Sequence, residues 1–309
     1  MNNIDRLFDA VAAKGHVCVG LDTSVEYVPP QGRGVSDADA VLAFNKALID
    51  STLDVAACYK VQIAYYEEMG LVGLSAYSQT LRYIREKGGL AIADVKRGDI
   101  ADTALRYAKG HFNGDFEADF VTLSPYMGMD SIEPWLESAK AKGKGAFVLM
   151  RTSNKGMRDF EYLEVSSPGG SANGNDKKRL YHAVGDKLAG LATANLGVSG
   201  YGMFGAVVGC TERDEAAEIR KKYSNLFFLI PGYGAQGGAA DDAALLLREG
   251  NGGVVNASRS ILKAWNAEMQ KSGADESTAT IAFAAEAARR AVVEMRDAIL
   301  AAVSPAGKK

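Results

Sequence analysis

Leu90-Ala91-Ile92-Ala93-Asp94-Val95-Lys96 is a short apolar run that takes on charge only toward its end, and Arg97-Gly98-Asp99 follow at once. Residues two apart in a strand face the same side, so Asp94 and Lys96 are expected to point together while Val95 faces the opposite way, toward helices. Gly98 lets the chain turn and leaves Asp99 just past the strand's carboxyl end. Seven further runs have the same character: Val17–Asp22, Ala57–Gln62, Asp119–Ser124, Ala146–Arg151, Gly205–Cys210, Leu226–Pro231 and Gly253–Ala257. They are continuously apolar rather than alternating, the pattern of a parallel sheet covered by helices. The stretches between them read as helices, with Asp37–Ser51 opening after a Ser-Asp cap signal and Asp130–Lys142 and Thr211–Tyr223 following the same logic. Eight β-then-α units in 309 residues predict an α/β protein with a closed (β/α)8 TIM barrel, a doubly wound sheet being the alternative.

Residues 1–309 are therefore expected to form one barrel domain with extra N- and C-terminal helices. The long connection 152–204 breaks the rhythm: it contains Ser166–Asp176 (SSPGGSANGND), which reads as a loop, and then a helix over Lys177–Asn195. A lid and a tolerated surface insertion are both open for it. The tail 276–302 is Ala-rich and helical in pattern, and is expected to pack outside the barrel.

A hydrophobic content of 47% supports a sizeable core, and a net charge of −3 leaves no footprint for nucleic acid or an anionic membrane. No run approaches the ~20 apolar residues of a membrane span, and the acidic, amphipathic start does not read as a signal peptide. Cys18, Cys58 and Cys210 lie in separate apolar runs without paired spacing, which fits small buried hydrophobes in a reducing compartment, by default the cytoplasm. His16, His111 and His182 have no metal-ligand spacing, so no metal is expected.

Three constellations carry chemistry. Lys60 interrupts the second apolar run, and a lysine and an aspartate aimed into a barrel must neutralise each other. Lys60, Asp94, Lys96 and Asp99 thus read as an alternating charged array; a plain ion pair for Asp94 and Lys96, and a helix N-cap for Asp99, are the structural alternatives. Next, Pro231–Gly238 (PGYGAQGG) follows the seventh run and precedes a helix starting near Ala240, a place where backbone N–H groups can approach an anion. It matches G-x-G-x-x-G, but the next strand ends in Asn256 instead of the acid a dinucleotide ribose would want. Finally, Arg259 stands where the eighth strand gives way to a helix, a position that opposes the helix dipole unless an anion sits there too. The loops after strands seven and eight are the usual phosphate site of this fold. Asp22 ends strand one and Ser153 lies just past strand five, where each could meet a ligand or merely cap a loop.

Gly20–Asp22 (GLD), Lys60, Asp94–Ile100 (DVKRGDI), Pro231–Gly238 and Ala257–Ile261 (ASRSI) together resemble the orotidine 5'-phosphate decarboxylases, in their longer microbial form. The resemblance spans the barrel from about Gly15 to Leu262. It implies that Lys60, Asp94, Lys96 and Asp99 are catalytic, with Asp99 and Thr103 reaching into the neighbouring subunit of a homodimer. It further implies that Asp22 holds a ribose hydroxyl, that Ser153 bonds the pyrimidine amide, and that Gln236 and Arg259 grip the phosphate beside Gly234 and Ser258. Many relatives have a Gly immediately before that Arg, where this chain has Asn256-Ala257-Ser258. The implied reaction takes orotidine 5'-monophosphate to UMP and carbon dioxide without a cofactor, Lys96 delivering a proton to C6. Two other classes remain open on the sequence: a metal-dependent sugar-phosphate lyase or aldolase on a related barrel, and a non-catalytic nucleotide-binding protein.

Overall fold

The computed structural model describes residues 2–34, 36–166, 177–234 and 237–304. Helix α1 (Asn3–Lys14) precedes the first strand, β1 (Val17–Gly20), and α2 (Asp37–Thr52) leads to β2 (Cys58–Gln62). Helices α3 (Ala64–Glu67) and α4 (Gly70–Glu86) precede β3 (Ala91–Arg97), and α5 (Ala101–His111) precedes β4 (Phe120–Leu123). Helix α6 (Glu133–Lys142) joins β4 to β5 (Gly145–Arg151). A two-stranded hairpin follows, β6 (Glu164–Ser166) with β7 (Lys177–Arg179), then α7 (Leu180–Thr193) and β8 (Phe204–Val208). The chain continues through α8 (Arg213–Lys222), β9 (Phe228–Ile230), α9 (Ala240–Ala244) and β10 (Gly253–Ala257), and ends with α10 (Arg259–Leu262), α11 (Ala264–Ser272) and α12 (Ile281–Val303).

Eight of these strands close into a barrel in the order β1-β10-β9-β8-β5-β4-β3-β2, every pair parallel. The eight apolar runs are thus the eight barrel strands, and the doubly wound alternative is set aside. Alternation sorts each strand's residues into two layers. Val17, Val19, Val61, Ala93, Val121 and Val148 pack outward against the helices. Cys18, Cys58, Ile92, Phe120, Phe147 and Val254 fill the interior. Helix α1 belongs to that inner cluster through Ile4, Leu7 and Val11, a single stripe at helical spacing. Burying each such side chain contributes about 1.5–3 kcal/mol. The interior is therefore packed from below, and a cavity opens at the carboxyl ends of the strands.

The cap expected before Asp37 is present, Ser36 accepting from the Asp39 N–H at the start of α2, whereas α6 begins at Glu133 and α8 at Arg213, each without a side-chain cap; at the start of α12, Thr280 accepts from the Phe283 N–H. Helix α12 packs against α2, α9, α10 and α11, outside the barrel. A further expectation needs correction. Lys177–Arg179 is not the first turn of a helix; it pairs antiparallel with Glu164–Ser166, and the helix begins at Leu180. Three consecutive cations have no apolar face to bury in a helix. Extended, Lys178 reaches Asp186 at 2.7 Å while the Arg179 guanidinium pairs with Glu215 and stacks over Tyr162. Most of the Gly/Ser-rich stretch, 167–176, lies outside the described residues.

Candidate active site

Lys60 is the fourth residue counted from Ala57 in an apolar strand, and alternation turns it inward above Cys58. Its ammonium lies 2.9 Å from Asp22 Oδ1 and 2.9 Å from Asp94 Oδ2. The other oxygen of Asp94 lies 2.6 Å from Nζ of Lys96. Asp22, Lys60, Asp94 and Lys96 thus form a line of alternating charge across the mouths of β1, β2 and β3. Lys60 and Asp94 are both buried; half the Lys96 side chain is open to the cavity above. Burial opposes the charge on Lys60, but Asp22 and Asp94 outweigh it and hold the ammonium above the ordinary lysine range. Burial likewise opposes ionisation of Asp94, but Lys60 and then Lys96 hold its carboxyl well below the usual carboxylate range.

Strand β3 is not regular where it carries these groups. Ala93 pairs with Val121 and Arg97 with Leu123, so four residue steps of β3 stand against two of β4. Lys96 sits inside this bulge at φ +43°, a left-handed conformation that costs a non-glycine residue of order 1–3 kcal/mol. The freed N–H groups of Val95 and Lys96 both donate to Thr122 Oγ1, at 3.0 and 2.9 Å. That hydroxyl in turn donates to Asp94 Oδ1 at 2.8 Å. Strand alternation correctly places Asp94 inside and Val95 in the outer layer, but the bulge, which no residue type announces, sets the position of Lys96.

The line borders a cavity of about 470 Å³ at the carboxyl end of the barrel. One wall is polar: Asp22, Lys60, Gln62, Asp94, Lys96 and Thr122, from β1 to β4. The facing wall, Leu149, Val207, Leu229 and Pro231, is apolar and comes from β5, β8 and β9. Arg259, the first residue of α10, lines one end and has no ion pair or side-chain hydrogen bond among the described residues. Ser258 donates to Asp22 Oδ2 at 2.8 Å, which joins β10 to the charge line. Room for that hydroxyl exists because residue 20 is glycine: a Cβ there would stand 2.0 Å from Ser258 Oγ. Ser153 lines the cavity on a loop pinned by Glu161, whose carboxylate accepts from the Thr152 N–H at 2.9 Å and from Thr152 Oγ1 at 2.7 Å. A piece of the 152–204 connection therefore shapes the cavity wall.

A model of the orotidine 5'-phosphate decarboxylase / HUMPS family matches residues 15–271, from just before β1 into α11. The chain belongs to that family. It is 54% identical over 298 residues to the orotidine 5'-phosphate decarboxylase of Clostridium acetobutylicum, covering 96% of this chain and 98% of that one. It is 52% identical to that of Clostridium perfringens, over 97% of this chain and 98% of the relative. Among solved structures, the OMP decarboxylase of Leishmania donovani is 31% identical with a TM-score of 0.71, over 96% of this chain and all of that one.

Against the orotidine 5'-phosphate decarboxylase motifs, the structure brings together Asp22, Lys60, Asp94, Lys96, Ser153, Ser258 and Arg259 around one cavity. Asp99 and Thr103 are not among its lining residues. Asp99 is not the cap of α5 either: Ile100 holds that position, and among the described residues Asp99 Oδ1 accepts from its neighbour's N–H alone, at 2.8 Å. Gly234, at φ +70°, lies in the loop after β9 but outside the cavity lining, and Gln236 lies outside the described residues. Asp22, expected as a ligand contact alone, is also the outer anion of the charge line. Gln62, Thr122, Tyr27 and Tyr65 line the cavity without having been singled out from sequence. Gln62 was legible, two residues beyond Lys60 on the same strand face; the others depend on packing between elements.

Proposed function

We propose that the protein decarboxylates orotidine 5'-monophosphate to UMP and carbon dioxide, a step of pyrimidine biosynthesis, with Lys96 as proton donor. One observation carries the mechanism: two ammonium groups held on the two oxygens of a single buried carboxylate, beside a cavity of nucleotide size. Loss of carbon dioxide leaves the C6–carboxyl electron pair on C6. No ring carbonyl is placed to delocalise it, so stabilisation must be electrostatic and preorganised. In this reading the Lys96 ammonium faces C6, stabilises the developing carbanion and transfers one proton to it, leaving UMP. The neutral amine then regains its proton from solvent, which its half-exposed position allows. Lys60 and Asp22 fix Asp94, and Asp94 fixes Lys96. The apolar wall accepts the departing carboxyl group as it becomes neutral.

Arg259, with Ser258, Gly234 and Gln236, holds the phosphate in the same reading, Asp22 a ribose hydroxyl, and Ser153 the pyrimidine amide. No cofactor or metal is invoked, since the ammonium groups occupy the place where an electrophile is needed. The working unit is a homodimer in which Asp99 and Thr103 of each chain reach its partner's cavity. Support comes from their place just past β3, with Asp99 half-buried and Thr103 exposed, and from Ile100, Tyr107, Tyr126 and Met127, large apolar side chains exposed on the adjoining connections. The whole chain acts as one barrel unit, with the 152–204 connection and the terminal helices as additions. Three buried free thiols fit the reducing cytoplasm as its compartment.

An absorbance assay for orotidylate loss on purified protein, with and without a chelator, is the direct test. Turnover in both is expected. No turnover would rule the activity out, and turnover only without chelator would transfer it to a metal-dependent lyase.

A further inference from the structure

Asp94 has no idle lone pair. Oδ1 accepts from Lys96 at 2.6 Å and from Thr122 Oγ1 at 2.8 Å; Oδ2 lies 2.9 Å from Nζ of Lys60 and accepts from Gln62 Nε2 at 3.0 Å. Two of these donors are charged and two are neutral. Of the neutral pair, the Thr122 side chain also binds the backbone of the catalytic strand, accepting from the N–H groups of Val95 and Lys96. A hydroxyl has one proton and two lone pairs, and here all three are used. Thr122 is buried on β4, the strand from which β3 departs at the bulge.

We propose that Thr122 is a positioning residue of the reaction: its one hydroxyl holds the Lys96 backbone in the bulge and orients the Asp94 carboxylate that holds the Lys96 ammonium. The inference rests on the orotidylate decarboxylation reading. Physically, a regular β3 would turn the Val95 amide toward β4 and the Lys96 amide toward β2, and would have no reason to adopt φ +43° at Lys96. The bulge persists because Thr122 supplies an acceptor where the β4 backbone cannot. Valine has the same shape but neither the acceptor nor the proton; serine has both.

The test compares Thr122→Val and Thr122→Ser with the unmodified protein, measuring kcat on orotidine 5'-monophosphate, the Kd of UMP, and amide hydrogen exchange at Val95 and Lys96. Misplacing a reacting group by an ångström costs about 100-fold, and a fall of about that size in kcat is expected for Thr122→Val, with UMP binding kept. Exchange at the two amides should accelerate in that variant alone, and Thr122→Ser should keep both kcat and protection. Full turnover by Thr122→Val would overturn the proposal, as would a serine variant as impaired as the valine one, since bulk rather than the hydroxyl would then matter. If the valine variant does not fold, exchange in the unmodified protein decides: slow exchange at both amides is expected, and fast exchange at either overturns the proposal. An unmodified protein that never turns over orotidylate would defeat the activity instead, while exchange would still report on Thr122.

Discussion

Asp94 Oδ1 accepts a 2.6 Å hydrogen bond from Nζ of Lys96, although the two residues lie only two apart on a strand that bulges between them. This contact directs an otherwise mobile ammonium into the cavity. Replacing Lys96 by Ala removes the proton donor, which alone is worth about 10²–10⁴-fold, and the electrostatic stabilisation with it. Decarboxylation should fall to background while UMP still binds. Substantial surviving turnover would refute the role.

Arg259 lines the cavity with no carboxylate partner among the described residues, so its interactions remain for a ligand. Hydrogen bonds to a charged group are worth about 1.5–3 kcal/mol, and Arg259→Ala should lower kcat/KM on the nucleotide about ten- to a hundredfold. Orotidine, which has no phosphate, should show no such difference between variant and parent. Equal losses on both would place Arg259 elsewhere in the chemistry.

Gly20 and Ser258 should be coupled. Ser258→Ala removes the bond to Asp22 and should cost about 1 kcal/mol of transition-state binding. Gly20→Ala drives a methyl group to 2.0 Å from the Ser258 hydroxyl and should cost more. Combining the two should recover part of that loss, because the colliding oxygen is gone. Strictly additive kcat/KM costs across the four proteins would contradict the coupling.

His111 predicts a pH dependence of stability. Burial, followed by the nearby Arg97 charge, lowers its imidazole to about 4, against 6.5 for free histidine. Between those values the unfolded chain binds a proton that the native protein refuses, so stability falls as pH drops from 6.5 toward 4 and levels off below. The loss amounts to about 3 kcal/mol from this group. His16 and His182 are also lowered by burial and add to it, so the comparison is with His111→Phe, which keeps the stack on Trp135. The variant should lose less stability than the parent over that range in urea titrations. Identical pH profiles would mean that His111 titrates normally.

The proposed sharing of each active site between two chains makes a mixing prediction. Lys96→Ala and Asp99→Ala homodimers should each be inactive, yet exchanging their subunits creates one cavity with Lys96 from one chain and Asp99 from the other. Activity should reappear on mixing. Continued silence, with subunit exchange demonstrated, would confine each site to one chain.

Most of the barrel was legible because its signals are local. Eight apolar runs with helical stretches between them need only alternation and periodicity to be read, and all eight became strands. The inward placement of Lys60 and Asp94 follows from the same two-residue period, and Gly20–Asp22, Pro231–Gly234 and Ala257–Ile261 stand at strand ends where loops meet. The helix expected from Lys177 began three residues late because cross-strand pairing with Glu164–Ser166, a contact between distant residues, outweighed local pattern.

By itself, then, the order of residues determined the eight strands and the helices between them, the inward turn of Lys60 and Asp94, and the end of the strands at which those charges stand, since each depends on neighbours within a few positions. Tertiary structure alone decided that Asp22 joins Lys60, that Thr122 anchors the β3 bulge, and that Asp99 stays outside its own chain's cavity. Those outcomes depend on which strands adjoin and where the ladder slips, and the closing of a sheet brings together groups whose separation along the chain carries no trace of the contact.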